Sequence, residues 1–269
     1  MLNARFVLVF SITLALVAAA APSAAQTAPI VNSAADAQAL GGLLPDILEE
    51  VPKHLGVQNA QQREFLRFTT THWNFGVGPL QIRGGGQEHP CILEGQPTVC
   101  TFAMQEIFNA SGQVVAQHPA GVALFHPEHN HWHQSNVVEF AVRKTLGGQP
   151  LGGRTLKTTF CLIDYDWSDL AAHPRSTKVY WDCGADVQGI SVGYGDEYHH
   201  AIEGQSIDIT GLAAGIYYLT YDADPNQQWL ETNDTNNRSW AKFRLTRKGA
   251  NAEVTMLETF GVPGNKSNR

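Results

Sequence analysis

Residues 99–117 have the sequence VCTFAMQEIFNASGQVVAQ, in which NASG separates two apolar runs. Asn, Ser and Gly favour tight turns, and a short turn between two apolar runs is typical of a β-hairpin. Similar runs recur along the chain, separated by turn-forming segments such as RGGG, LGGQPLGG and DPNQ. The other predicted strands are FLRFTT, PLQIRG, NVVEFAVR, TTFCLIDY, SIDIT, IYYLTYDA and WAKFRLT. The sequence therefore predicts an all-β fold, a single β-sandwich-like domain with long irregular loops and little helix.

Helix is expected in two short stretches, Asp46–Glu50 and residues 57–65. Residues 164–179 and 184–205 lack a regular apolar period and are predicted to be loops. Long loops on a β scaffold often carry functional residues, so these two segments are candidate contributors to a site.

The first 25 residues have the pattern of a secretory signal peptide. Arg5 precedes an apolar run from Phe6 to about Ala21. Ser23-Ala24-Ala25 then supplies small residues that favour cleavage after Ala25. A membrane anchor is the alternative, but the run is shorter than the roughly 20 residues that span a bilayer. The sequence predicts a secreted or periplasmic protein without a membrane span. A flexible lead-in is expected over 26–42, one folded domain over 43–262 and a disordered tail over 263–269.

Charge and cysteine content narrow the class of protein further. The chain has 269 residues and a net charge of −7, and an acidic chain disfavours nucleic acid as a partner. Four cysteines in an exported chain favour two disulfides, for which three connectivities exist. Local pairing is the simplest of them, with Cys91 bonded to Cys100 and Cys161 to Cys183. No pair has CxxC spacing, which disfavours a cysteine-based zinc site.

Four histidines lie within FHPEHNHWHQ, residues 125–134. His129, His131 and His133 alternate, but side chains on one face of a strand lie about 7 Å apart, so a bend is needed to bring them to one ion. Three neutral imidazoles suit copper, zinc, iron or nickel, and Cu(II) is bound most tightly of the divalent ions. A polar strand with exposed histidines is the alternative. His126 breaks the alternation and is expected to lie beside the metal without binding it.

The segments around these histidines resemble the catalytic domain of the lysyl oxidase family. The resemblance covers roughly residues 43–245, and its motifs follow the family's order. They are HPEHNHWH, KTTFCLIDY, QGISVGYGDEY, GQSIDITGLAAGIYYL and ETNDTNN, with LLPDI and FLRFTTTHWNFGVGPLQIRG upstream resembling bacterial members. The resemblance implies that His129, His131 and His133 hold copper, and that the domain over 43–262 is a lysyl oxidase-like catalytic domain.

The resemblance also implies a cofactor, lysine tyrosylquinone, formed by the protein from Lys157 and Tyr198. Tyr194 lies nearby but not where the family has its cofactor tyrosine. The implied reaction is the oxidative deamination of a primary amine, either peptidyl lysine or a small amine, by O2. Its products are an aldehyde, ammonia and hydrogen peroxide.

A general base is needed to remove the proton from the carbon that bears the amine. Asp164, Asp196 and Asp208 lie within the matched motifs and are all candidates. A role in turns or local hydrogen bonding is the alternative for each of them.

A calcium site is a second implication of the resemblance. Hard cations prefer several oxygen ligands, and the matching positions supply them. These positions are Asp46, Ile47 through its carbonyl, Glu231, Asn233, Asn236 and Asn237. Asn233 stands where the family has Asp, and the neighbouring Asp234 is a candidate to replace the missing charge. The alternative is an Asn-rich and Asp-rich turn without an ion.

Two other functions remain open from the sequence. One is a non-enzymatic copper-binding protein of the cell envelope, which needs the histidines but neither Lys157 nor Tyr198. The other is a zinc hydrolase with three histidines and an open water position, which also needs a carboxylate base beside the metal. Glu128 is adjacent in sequence, but strand alternation would point it to the other face.

Overall fold

The computed structural model describes residues 27–93, 95–184, 186–202, 204–249 and 251–264. Within residues 153–158 it describes the backbone alone. The predicted signal peptide, residues 1–25, and residues 265–269 of the predicted tail lie outside the described residues. No helix in the described part of the chain is long and apolar enough to cross a membrane.

Almost all regular structure in these ranges is β-strand, as the sequence predicts. The elements in chain order are α1 (Ala34–Ala39), β1 (Ile47–Glu49), β2 (Lys53–Ala60), β3 (Arg63–Asn74), β4 (Leu80–Leu93), β5 (Gln96–Phe108), β6 (Val114–His126), β7 (His131–Arg143), β8 (Pro150–Phe160), β9 (Asp166–Trp167), β10 (Gln188–Ile190), β11 (Tyr194–Tyr198), β12 (Ser206–Asp208), β13 (Gly215–Ala223), β14 (Arg238–Lys248) and β15 (Asn251–Phe260).

The described strands form two sheets. In the six-stranded sheet, β3 is central: it pairs with β1, β2, β11 and β12, and β9 pairs with β11. The nine-stranded sheet has the order β10-β4-β5-β6-β7-β13-β14-β15, with β8 paired to β7. These strands all pair antiparallel.

The main core lies between the two sheets. Phe68 of β3 packs against Phe140 of β7 and Tyr221 of β13, with ring centroids 4.8 and 5.5 Å apart. Phe140 and Tyr221 meet edge to face at 5.1 Å. All three rings are fully buried, and the separations are those of favourable aromatic pairs. The contact between the faces confirms the predicted sandwich-like arrangement.

The hairpin predicted from NASG joins β5 to β6. The amide of Asn109 donates to the carbonyl of Gln113, and the side-chain oxygen of Asn109 accepts from the amides of Ser111 and Gln113. Gly112 has φ of +74°, a left-handed conformation that glycine adopts without steric cost. Turn chemistry in these four residues therefore fixes the register of two long strands.

The two predicted helices are wrong. Asp46–Glu50 contains β1, which pairs with residues 72–74 of β3, and residues 57–65 lie in β2 and β3. Both segments are short apolar runs, for which periodicity does not separate helix from strand, and pairing with β3 decides the outcome. The edge strand β15 was not predicted, because most of its side chains are exposed and leave no alternating pattern.

The N-terminal segment also differs from the expected flexible lead-in. The amide of Val31 donates to the carbonyl of Gln117, and α1 lies between Ala34 and Ala39. Val31 and Ala37 are buried in a small cluster with Leu44 and Ile107. Burial of these small apolar side chains against β5 and β6 outweighs the polar composition of the segment.

Both locally paired disulfides are present, so that expectation is confirmed. Cys91–Cys100 links β4 to β5, and Cys161–Cys183 links the end of β8 to the loop before β10.

Candidate functional site

The bend that the histidine cluster needs is the turn between β6 and β7. The amide of Asn130 donates to the carbonyl of His126 at 2.8 Å, and Asn130 has φ of +54°. Asn tolerates this left-handed conformation better than most residues. The turn carries His129, and His131 and His133 follow at the start of β7, where His131 lies opposite His126.

Ring nitrogens of His129 and His131 both approach one nitrogen of His133 in this hairpin. Nε2 of His133 lies 3.2 Å from Nδ1 of His129 and 2.9 Å from Nε2 of His131. A ring nitrogen makes one hydrogen bond, so hydrogen bonding between rings does not account for both contacts. A metal ion about 2.0–2.1 Å from each nitrogen would hold neighbouring nitrogens about 2.9–3.3 Å apart. The donor set and its spacing therefore fit a transition-metal ion.

His126 packs beside the three converging rings. Its ring stacks on His129 with centroids 3.8 Å apart, and ring nitrogens of His126, His129 and His133 lie within 4.8 Å of one another. A second triplet, with His126 in place of His131, is thus geometrically available. We favour the triplet with His131, because its nitrogen is in direct contact with that of His133.

The ring of His133 is held in its neutral form. Burial, together with the neighbouring histidines, lowers the pKa of His133 to about 3. The other ring nitrogen, Nδ1, lies 3.1 Å from the hydroxyl of Thr159 on β8. Metal-binding histidines usually have such a partner on the second nitrogen, which fixes the orientation of the ring.

Tyr198, the last residue of β11, lies at the end of β8. Its ring stacks on Phe160 at 3.9 Å, and its hydroxyl donates to the carbonyl of Cys161 at 2.5 Å. Cys161 is bonded to Cys183, whose carbonyl accepts from the amide of Trp132 at 3.0 Å. Because Trp132 lies between two of the histidines, this disulfide connects the tyrosine to the histidine hairpin.

The other expected cofactor residue is on the same strand as Phe160. The backbone of Lys157 lies in β8, opposite Glu139 of β7. Its side chain is outside the described residues. The competing tyrosine, Tyr194, is buried in the main core.

Two of the three candidate bases have structural contacts that occupy them. Asp164 accepts hydrogen bonds from the amides of Val179, Tyr180 and Ser191 at 2.9, 3.1 and 2.7 Å. Asp208 is paired with Arg63 on the surface. The bonds of Asp164 anchor a loop, and the pair of Asp208 with Arg63 links β12 to β3, so both carboxylates have structural partners.

Asp196 is the remaining candidate. It is only 2% exposed, lies on β11 two residues before Tyr198, and interacts with the hydroxyl of Tyr198. Burial raises the pKa of Asp196 to about 7, although the nearby His72 opposes the rise. A carboxyl group with a pKa near neutrality is suited to general base catalysis.

His72 and Glu49 form a buried pair that no local sequence pattern predicts. Nδ1 of His72 lies 2.5 Å from the carboxylate of Glu49, and His72 faces Asp196 across the β3–β11 pairing. The only signal in the sequence was a histidine inside the apolar run FLRFTTTHWN.

The expected calcium residues lie together with one difference. The carboxylate of Glu231 accepts from the amide of Ile47 at 2.5 Å and from Nδ2 of Asn237 at 2.7 Å. Asp46 accepts from Nδ2 of Asn236 at 3.0 Å. The side-chain oxygens of Asn236 and Asn237 are buried without a hydrogen-bond partner among the described residues. Unpartnered oxygens beside two carboxylates fit a hard cation.

Asn233 is oriented differently from the other expected calcium residues. Its side-chain oxygen accepts from the amide and hydroxyl of Thr235 at 3.1 and 2.7 Å. The neighbouring Asp234 is close enough for Asp46 to raise its pKa, although burial is the larger cause.

Calcium is expected to raise the melting temperature of the protein. Burial raises the pKa of Glu231 to about 8, so its ionised form is costly without a cation. At a calcium concentration about 100 times Kd, the free energy of unfolding rises by about 2.7 kcal/mol. For a domain of this size, that raises the melting temperature by roughly 5–10 °C. Differential scanning calorimetry of Glu231→Gln is expected to show almost no calcium response, whereas the exposed control Glu88→Gln retains it. An equal response in both variants would exclude this site.

Sequence comparisons place the chain among known proteins. The lysyl oxidase family profile matches residues 99–255, which include the histidine hairpin, β11 and Glu231. Lysyl oxidase homolog 2 of Xenopus laevis is 35% identical over 114 residues, 42% of this chain and 14% of the relative. Lysyl oxidase homolog 3B of Danio rerio is 32% identical over 172 residues, 59% and 20% respectively.

A third relative, lysyl oxidase homolog 2 of Gallus gallus, is 31% identical over 207 residues, which cover 68% of this chain and 26% of the relative. The chain thus spans only about a quarter or less of the length of these relatives. The profile, however, matches more than half of the chain, over the strands that carry the converging histidines and Tyr198. On this match, the chain belongs to the lysyl oxidase family.

Proposed function

We propose that the protein is a copper-dependent amine oxidase that acts outside the cytoplasm. The proposed reaction converts a primary amine, O2 and water into an aldehyde, ammonia and hydrogen peroxide. The observation that carries the proposal is the approach of His129 and His131 ring nitrogens to Nε2 of His133, in a chain that belongs to the lysyl oxidase family.

In this proposal His129, His131 and His133 hold copper, and Lys157 and Tyr198 form lysine tyrosylquinone. When present, copper and the quinone supply the redox chemistry, in which two electrons pass from the amine to O2. The described residues support this assignment in two ways. The neutral ring of His133 is available as a ligand, and the stack on Phe160 with the bond to Cys161 orients the ring of Tyr198.

We assign the general base to Asp196. It is buried beside Tyr198, whereas Asp164 and Asp208 are occupied by other partners. Burial excludes water from the carboxylate and leaves it poised to accept a proton near neutral pH. His72, held by Glu49, lies close enough to favour the ionised form of Asp196.

The pH profile of kcat/KM is expected to show an acidic limb with an apparent pKa near 7. Asp196 has a pKa of about 7 and accepts a proton only when ionised, so activity falls as pH falls below this value. Asp196→Asn is expected to reduce kcat by about 100-fold to 10,000-fold and to abolish the limb. Peroxide release measured between pH 5 and 9 tests this, with the exposed Asp169→Asn as the control.

Unfolding of the variant would not explain that loss. The pKa of Asp196 is higher in the folded chain than its ordinary value of 3.8, so its contribution to stability is full below about pH 4 and declines as pH rises toward 7. Asp196→Asn is therefore expected to be at least as stable as the parent at pH 8. A limb that persists unchanged in the variant would rule out Asp196 as the base.

The test of the proposed function is cofactor formation in the intact chain. Metal-free protein is loaded with copper under air, treated with phenylhydrazine and digested for mass spectrometry. A coloured adduct and a cross-linked peptide that joins Lys157 to Tyr198 are expected. Copper uptake with an unmodified Tyr198 peptide would instead favour a non-enzymatic copper-binding protein.

The zinc hydrolase alternative is less well supported. Such an enzyme needs a carboxylate beside the metal, and Glu128 lies exposed in the turn between β6 and β7. Asp196, a buried carboxylate with a raised pKa, lies beside Tyr198.

A further inference from the structure

A second group of histidines lies at the end of β11 on the six-stranded sheet. It consists of His54 of β2 and of His199 and His200, which directly follow Tyr198. One ring nitrogen of each lies within 4.8 Å of one ring nitrogen of each of the others. The ring centroids of His54 are 5.6 Å from those of His199 and 5.1 Å from those of His200, and the last two are 3.9 Å apart.

Neighbouring polar groups hold two of these rings in place. The hydroxyl of Thr69 lies 3.0 Å from Nδ1 of His54 and 3.4 Å from Nδ1 of His200. It also accepts a 2.9 Å bond from the amide of His200. Arg67 donates to the carbonyls of His200 and Ile202 at 2.6 and 2.8 Å, which fixes the chain after β11.

These contacts leave the outer nitrogens available. The Nδ1 atoms of His54 and His200 face Thr69, so Nε2 is the atom that each can present to an ion. Nδ1 of His199 accepts a hydrogen bond from the amide of Ala201 at 3.3 Å. This hydrogen bond is long enough to be replaced by a bond from the same nitrogen to a metal ion. A partner on one imidazole nitrogen is the usual arrangement when the other nitrogen binds a metal.

The backbone of His54 is shaped for this position. The β2–β3 register shifts between Lys53 and Gly56, and within this bulge His54 has φ of +52°. Bulges commonly redirect a side chain at functional sites, and a non-glycine residue in this conformation is sparsely populated. Burial lowers the pKa of His200, and the neighbouring histidines add to this effect, so its ring is neutral at physiological pH.

We propose that His54, His199 and His200 form a second transition-metal site, separate from the histidine hairpin. Three imidazole donors favour Zn2+, Cu2+ or Ni2+ over Ca2+ and Mg2+, which prefer oxygen ligands. A surface cavity of about 590 Å³ adjoins His54 and His200 and leaves room for water or a small ligand to complete the coordination. The positive charge of Arg67 on the wall of the cavity weakens cation binding there. With one ion at the histidine hairpin and one at this second site, copper loading is expected to place two ions on each chain.

Zinc titration of the full chain tests the second site. The hairpin site is first removed with His129→Ala/His131→Ala/His133→Ala, and excess Ca2+ is present to occupy oxygen-rich sites. Isothermal titration calorimetry is expected to show one zinc ion per chain in this background. Loss of a residue that only hydrogen-bonds to a metal ligand weakens metal binding by up to roughly 100-fold. Adding His54→Ala/His199→Ala removes two ligands and is expected to weaken zinc binding by more than this. Adding the control His89→Ala, on the other sheet, is expected to leave binding unchanged.

The same comparison in the otherwise unaltered chain guards against misfolding of the background. There His54→Ala/His199→Ala is expected to reduce the stoichiometry from two zinc ions to one. Two results would overturn the proposal: a background that binds no zinc while the unaltered chain binds one ion, or zinc affinity that is unchanged by His54→Ala/His199→Ala. Neither measurement depends on amine oxidation, so failure of the oxidase proposal would leave this test intact.

Discussion

Tyr198→Phe is expected to abolish amine-dependent peroxide release while copper binding stays unchanged. The substitution removes the hydroxyl that donates to Cys161 and retains the ring that stacks on Phe160. Without the phenol oxygen the ring cannot become the proposed quinone, and no phenylhydrazine adduct is expected. Activity is expected to fall to the background of the assay, because the variant lacks the phenol oxygen from which the proposed electron acceptor is made.

The matched control is Tyr194→Phe on the same strand. Tyr194 is a buried core residue at the start of β11, four positions before Tyr198. This variant is expected to form the phenylhydrazine adduct to the same extent as the parent. Stopped-flow absorbance and peroxide assays, run with bound copper measured on the same samples, separate the two outcomes. Full activity in Tyr198→Phe would show that another residue provides the cofactor.

The features that could be predicted are those whose information is local. The NASG turn and the alternation of the flanking residues are contained within a few positions, so the hairpin can be predicted from the sequence. The histidine cluster can be predicted for the same reason, because its three members lie within five residues. The required bend was also foreseen, although only the structure shows that Asn130 supplies it.

The features that were missed depend on segments far apart in the chain. Glu49, His72 and Asp196 come from β1, β3 and β11, and no local pattern connects them. The three-residue strand β1 is too short for a period to be recognised, so it was predicted as helix. The second histidine group was missed because His54 lies 145 positions before His199, and only the β2–β3 and β11–β3 pairings bring them together.

The identity of the third ligand in the hairpin can be decided by comparing single variants. His133→Ala is expected to abolish copper binding at this site and, with it, cofactor formation. Its Nε2 is the atom that both His129 and His131 approach, so its removal leaves two nitrogens with no common centre. Copper is measured in the His54→Ala/His199→Ala background, which removes the proposed second transition-metal site.

His131→Ala and His126→Ala then separate the two overlapping triplets. If His131 is the ligand, His131→Ala loses copper and activity, whereas His126→Ala weakens copper binding by no more than about 10-fold to 100-fold. His126 stacks on His129, and its removal loosens a neighbouring ring without removing a donor. Electron paramagnetic resonance of bound Cu(II) is expected to keep the parent nitrogen pattern in His126→Ala. The reverse result would assign the site to His126, His129 and His133, and would leave His131 as the residue that packs beside the metal.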